Sequence, residues 1–223
     1  AVRLTGSGLG CPTWPECTSG SYTPVKGQAE EAIHAWIEFG NRLLTFVLFF
    51  AAVAIVVIVL RAGRRDLRLL ALSQIAGIFG QAIVGGITVL TKLNPLAVAS
   101  HFLLSMLLIA AAYSLLMRSS AERIHQPQRS LFLTIHTVLT FVVLVAGTLV
   151  TGAGPHAGDT DAPRLEIAIP TVTAIHGYLV VGLILLTIAG IYRRFRNFTE
   201  DTPRFLTIFL GVSLLQGIIG YAQ

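Results

Sequence analysis

The sequence predicts an all-α membrane protein built as two pseudo-symmetric four-helix bundles. Three observations predict it: long apolar stretches with little between them, basic residues gathered in alternate loops, and an internal repeat. Hydrophobic residues make up 54% of the chain and charged residues only 12%, and the mean hydropathy is +0.74. That balance suits a chain solvated by lipid and leaves no sequence for a separate water-soluble domain.

Taken in order, six stretches reach the roughly 20 mostly apolar residues that a bilayer crossing needs. They are residues 36–60, 69–90, 97–117, 131–151, 168–191 and 205–223. Each is read as a helix, because lipid offers no partner to an unpaired backbone group. The loops at 61–68, 118–129 and 193–204 hold Arg61, Arg64, Arg65, Arg68, Arg118, Arg123, Arg129, Arg193, Arg194, Arg196 and Arg204, eleven of the sixteen basic residues. The positive-inside rule places these loops in the cytoplasm and residues 1–30, 91–96 and 152–167 outside, in a multi-pass protein of the plasma membrane. Arg-rich inner loops account for the net charge of +5 without a nucleic-acid partner.

The first outer segment contains both cysteines, in "GCPTWPEC". Cys11 and Cys17 have five residues between them, two of them prolines, in an oxidising compartment, which favours a disulfide. Free thiols, or a heme-attachment or zinc site, are the alternatives; neither the C-x-x-C-H spacing nor a second cysteine pair is present.

The first helix opens with "IHAWIEFGNRLL". At 100° per residue, His34, Glu38, Asn41 and Arg42 share an arc of roughly 100° on one face. An intramembrane carboxylate marks a functional candidate; an i,i+4 ion pair between Glu38 and Arg42 is the structural alternative, and the two readings overlap.

Three pairs of segments repeat. Thr5-Gly6-Ser7-Gly8 matches Thr151-Gly152-Ala153-Gly154, "IHAWIEFG" at 33–40 matches "IHGYLVVG" at 175–182, and "GQAIVGGI" at 80–87 matches "LQGIIGYA" at 215–222. The chain therefore reads as a duplication, with residues 1–129 the N-terminal half and 130–223 the C-terminal half. Four helices per half is an even number, so both halves insert the same way up about an axis along the membrane normal. On this reading eight helices are expected, six of them within this sequence, and a further histidine is expected near position 236.

Depth sorts the histidines. His34, His101 and His176 each follow the start of a helix entering from the outer side; His136 lies at the opposite level, and His125 and His156 fall in loops. Three imidazoles at one depth point to heme iron, since facing histidines in a four-helix bundle hold a heme well, although a packing role is open to any one of them. His34 and His101 would serve one heme and His176 a second. Gly77, Gly80, Gly85, Gly86, Gly217 and Gly220 permit close approach of a macrocycle, or of another helix. Val180, Leu183 and Ile184 occupy the second-half places of Glu38, Asn41 and Arg42, so only the first half carries a carboxylate.

"RLTGSGLGCPTWPEC", "IEFGNRLL", "GQAIVGGITVLTKLNP", "SHFLLS" and "TLVTGAGPHAGD" together resemble heme A synthase, along the whole chain. The resemblance implies two four-helix halves, a disulfide in the first outer loop, heme b in the C-terminal half and the substrate site in the N-terminal half. It implies oxidation of a methyl group of heme O to the formyl group of heme A, through successive hydroxylations and loss of water, for terminal oxidase assembly. Glu38 takes the place of the essential glutamate, Cys11 and Cys17 that of the cysteine pair, and His101 and His176 those of two heme ligands. Where many members read Glu-x-x-His-Arg, this chain has Asn41 before Arg42. His34, on nearly the same face about 10 Å nearer the outer surface, stands in as the ligand, with Asn41 and Arg42 beside the cofactor. The implied partners are heme O, the heme O synthase that makes it, an electron acceptor and the lipid bilayer; a homo-oligomer is compatible.

Two other functions use the same residues. A non-enzymatic diheme electron carrier needs the histidines but not Glu38, and a transporter with parallel repeats would line a solute path and show no Soret band.

Overall fold

The computed structural model describes residues 5–25, 32–120, 130–154, 162–193 and 198–222. Six helices run through them: α1 (Ala32–Arg61), α2 (Arg68–Leu90), α3 (Pro95–Ser119), α4 (Leu131–Ala153), α5 (Ile169–Tyr192) and α6 (Thr202–Ala222). All six are long and apolar enough to cross a membrane, so the chain is an all-α, multi-pass membrane protein. Many large apolar side chains lie exposed along them, Phe46, Phe50, Ile58, Leu69 and Leu185 among them. Lipid, rather than a protein core, is the solvent such surfaces suit.

The chain divides into two compact units, Ala1–Arg123 with Thr151–Ile167, and Ile124–Val150 with Ala168–Gln223. The halves drawn from the sequence differ from this division mainly in residues 151–167. Among the described residues there, Gly152 meets Pro95 of the first unit, whose Cβ lies 3.0 Å from where a Cβ on Gly152 would stand, and Leu165 N–H donates to the Gly152 carbonyl at 2.9 Å.

In the first unit α1 packs on α2 and α2 on α3. The 30 residues of α1 span about 45 Å, against about 30 Å of hydrocarbon. Its first turns therefore have room to stand in the interfacial layer. Ala35, Glu38, Ala52 and Val59 are its buried residues; the last three stand at multiples of seven residues and so share one face, while Ala35 and Glu38 lie under the cysteine loop. At the far end Val59, Leu67, Ala71 and Leu115 form a small core. Arg64 secures that end by pairing with Asp66 at 2.8 Å and donating to the Arg118 carbonyl of α3 at 2.9 Å.

The α2–α3 turn sets the depth of both helices. Lys92 N–H donates to the Val89 carbonyl and Leu93 N–H to the Thr88 carbonyl, a Schellman ending with the non-glycine residues Lys92 and Leu93 at φ 52 and 61. Asn94 then caps α3 by accepting from Leu96 N–H at 3.0 Å, with Pro95 in the first turn.

In the second unit α5 packs on α6. Phe132 and Leu206 press on Gly190 of α5, where a methyl group would meet the Phe132 ring at 2.5 Å. Close helix approach through a small residue is the usual means of association in lipid.

Candidate functional site

The site is built where the cysteine loop lies on the first turns of α1. Cys11 and Cys17 form a disulfide, and both are fully buried. Gly10 lets the loop touch down: a side chain there would collide with the His34 carbonyl. Beyond it Cys11 N–H donates to Glu38 Oε2 at 2.7 Å.

Arg42, one turn after Glu38, completes the attachment. Its Nη2 donates to Glu38 Oε1 at 2.6 Å, to the Cys11 carbonyl at 2.8 Å and to the Thr13 carbonyl at 3.0 Å. Its Nη1 donates to the Glu16 carbonyl at 3.0 Å and to that of Pro15 at 3.5 Å. The ion pair weighed from the sequence is present, and Glu38 is buried at 5% exposure. The carboxylate is therefore held from both sides, by the loop backbone and by a guanidinium that itself holds the loop.

Trp14, at the tip of the loop, lies on α2. A methyl group at Gly86 would come within 2.6 Å of its indole ring. The preceding glycine, Gly85, is where the His101 imidazole rests, its Cε1 3.1 Å from the place a Cβ would occupy. Consecutive residues on a helix point about 100° apart with a rise of about 1.5 Å. The Gly-Gly pair of "IVGGI" thus seats the loop and the histidine at one level, on adjacent faces of α2.

His101 and His176 are in like circumstances. Each is half-buried, and each rests on a glycine: His176 on Gly147 of α4, with Cε1 3.2 Å from the position of a Cβ. The Nδ1 of each is buried without a hydrogen bond of good geometry, His176 having the Val143 carbonyl as a neighbour. The backbone around His101 is well held, since Gln81 donates to the His101 carbonyl at 3.2 Å and to Ser105 Oγ at 2.7 Å.

His34 is engaged differently, with its Nδ1 2.8 Å from Oγ of the buried Ser7, which is 2.6 Å from Thr5 Oγ1. Asn41 shares the helical face by angle but lies exposed, because the loop covers only the Glu38–Arg42 edge. The structure therefore brings together Cys11, Cys17, Glu38 and Arg42, and places His34 beside Ser7 under the same loop. Asn41 has no part in that network. His125 and His156 lie outside the described residues.

His136 is held by a hydrogen bond and aromatic packing within the second unit. Thr187 Oγ1 donates to the Leu183 carbonyl at 2.7 Å and so accepts from His136 Nε2–H at 2.9 Å. Phe132 stacks on the ring and Phe209 meets it edge-on, with centroids 6.1 and 4.8 Å away. Replacing His136 by Ala is expected to cost about 1–3 kcal/mol of stability through the lost hydrogen bond and packing. Thermal unfolding should show that loss, while visible absorbance per protein stays unchanged.

Sequence reasoning missed Ser7, Trp14, Gly147 and Thr187 as parts of these arrangements. Ser7 sits inside the repeated Thr-Gly-small-Gly segment, which was the one available signal for it. Nothing local marks Gly147 or Thr187 as the contact of a histidine far along the chain.

The sequence model of a family described as cytochrome oxidase assembly protein matches residues 1–159. The chain is 30% identical to the heme A synthase of Geobacillus kaustophilus over 125 residues, 55% of this chain and 38% of that protein. It is 29% identical to the heme A synthase of Geobacillus thermodenitrificans over 128 residues, again 55% of this chain and 38% of that protein. With the heme A synthase of Lysinibacillus sphaericus it shares 29% identity over 163 residues, 67% of this chain and 50% of that protein. The matches thus span between 38% and 50% of the length of these curated relatives. No solved structure matches the chain. Apolar membrane-length helices, a disulfide loop fastened to a buried carboxylate, and a family match over residues 1–159 lead to one assignment: the chain belongs to the cytochrome oxidase assembly protein family.

Proposed function

We propose that this chain carries heme A synthase activity, oxidising a methyl group of heme O to a formyl group to give heme A for terminal oxidase assembly. Substrate heme O is assigned to the first unit and a resident heme b to the second, with the disulfide loop on the outer face of the plasma membrane. The observation that carries the reading is Glu38, a buried carboxylate fixed on both oxygens in the unit that also holds His101. A carboxylate buried for packing alone would be costly.

The histidines fit porphyrin iron. His101 and His176 are neutral-imidazole candidates, half-buried, cradled by glycine and without a good protein hydrogen bond at Nδ1. His34 is assigned to the first-unit site, where the contact with Ser7 would orient its ring. When bound, the second-unit heme would supply electron transfer. Glu38, oriented by Cys11 N–H and Arg42, would hold a proton or a water at the substrate's edge, or stabilise positive charge there. The loop, with Trp14 seated on α2, would exclude bulk water from that place.

The test is conversion of heme O by the full-length protein in membranes, with products separated by chromatography and identified by mass. Formyl-bearing heme A is expected. A heme-loaded protein that leaves heme O unchanged would favour the diheme carrier, and a protein without a Soret band the transporter.

A further inference from the structure

We propose that Arg42 is the positioning residue of this site: it locks the disulfide loop onto α1 and thereby gives Glu38 a single orientation. The inference rests on the heme A synthase reading for its activity arm only.

The disulfide closes residues 11–17 into a ring, and the carbonyls of Cys11, Thr13, Pro15 and Glu16 turn toward one guanidinium. Thr13 Oγ1 donates to the Glu16 carbonyl at 2.8 Å, which braces the same curve. Converged carbonyls repel one another unless a cation sits among them, and Arg supplies that cation from α1 as a planar fork of donors. The charge is balanced by Glu38, whose second oxygen takes the N–H of Cys11. Loop, Arg42 and Glu38 thus form a closed circuit of contacts in which Arg42 makes the most bonds, four to the loop and one to Glu38.

Arg42 was a cofactor-binding candidate by sequence. Its terminal nitrogens are instead directed at the loop and at Glu38, which suits holding the carboxylate better than holding a heme propionate. A Lys at this position would keep the charge but lose the fork, since one ammonium cannot reach so spread an acceptor set.

The experiment uses the full-length protein with Arg42→Gln and Arg42→Lys, both cysteines and Glu38 intact. Three quantities are read: the rate at which a dithiol reduces the disulfide, trapped by maleimide; bound heme, by Soret absorbance; and heme A formed per bound heme O. The expected order of reduction rates is parent, then Lys, then Gln, with Gln roughly tenfold faster than parent because the loop opens more often. Conversion per bound heme O should fall in the same order while bound heme stays near the parent level, and Lys should rescue part of it. A disulfide as resistant in both variants as in the parent overturns the proposal. So does loss of bound heme in both with loop protection intact, which would make Arg42 a cofactor ligand. If the parent converts no heme O, the functional reading fails, and the reduction order still decides the clamp. If Arg42→Gln does not fold, the Lys variant against the parent decides it by the same readings.

Discussion

Glu38→Gln is expected to lower heme A formation by about 100-fold or more while leaving bound heme near normal. The reason lies in what Gln keeps. Its carbonyl oxygen can still accept from Cys11 N–H, as Glu38 Oε2 does at 2.7 Å. Arg42 retains the four loop carbonyls. The loop should therefore stay down, and what is lost is the negative charge and the capacity to take up a proton. Glu38→Ala removes the loop contact as well and should add a stability loss of about 1–3 kcal/mol, since Cys11 N–H is then buried without an acceptor. Chromatography of extracted hemes, Soret absorbance and thermal unfolding read the three quantities separately. Unchanged conversion in Glu38→Gln would remove the carboxylate from the chemistry and leave it as a loop fastener.

Replacing His101 or His176 by Ala is the second large effect. Each should abolish heme binding in its own unit, seen as a fall in Soret absorbance per protein, while the apoprotein is at most weakly destabilised. A histidine kept for packing behaves in the opposite way. His136 has a hydrogen bond and two aromatic neighbours to lose; His101 and His176 bury an Nδ1 without a good partner, and removing an unsatisfied polar atom costs little. The contrast between spectral loss at His101 and His176 and stability loss at His136 distinguishes ligands from packing. Added free imidazole should restore part of the absorbance, because the glycine-backed space left by the ring is open to it. Full Soret absorbance in both variants would take the iron away from these residues.

The sequence by itself determined the membrane class, the six spans and the shared face of Glu38 and Arg42; for Cys11 and Cys17 it favoured a disulfide, and the structure shows the bond. All of these are local: apolar run length reports a bilayer crossing, and a 3.6-residue period reports which side chains share a face. The spans 36–60 and 69–90 came within a few residues of α1 and α2.

Only the tertiary structure decided which groups those faces meet. Arg42 reaches carbonyls 26 to 31 residues earlier in the chain, His34 reaches Ser7 across 27, and His136 reaches Thr187 across 51. Helical angle put Asn41 in the same arc as Glu38, yet the loop descends on one edge of that arc and leaves Asn41 exposed. The seat of His176 on Gly147 likewise depends on how two helices approach. Such contacts depend on where a closed loop and a neighbouring helix come to rest, a non-local outcome of packing and loop closure that residue spacing does not encode.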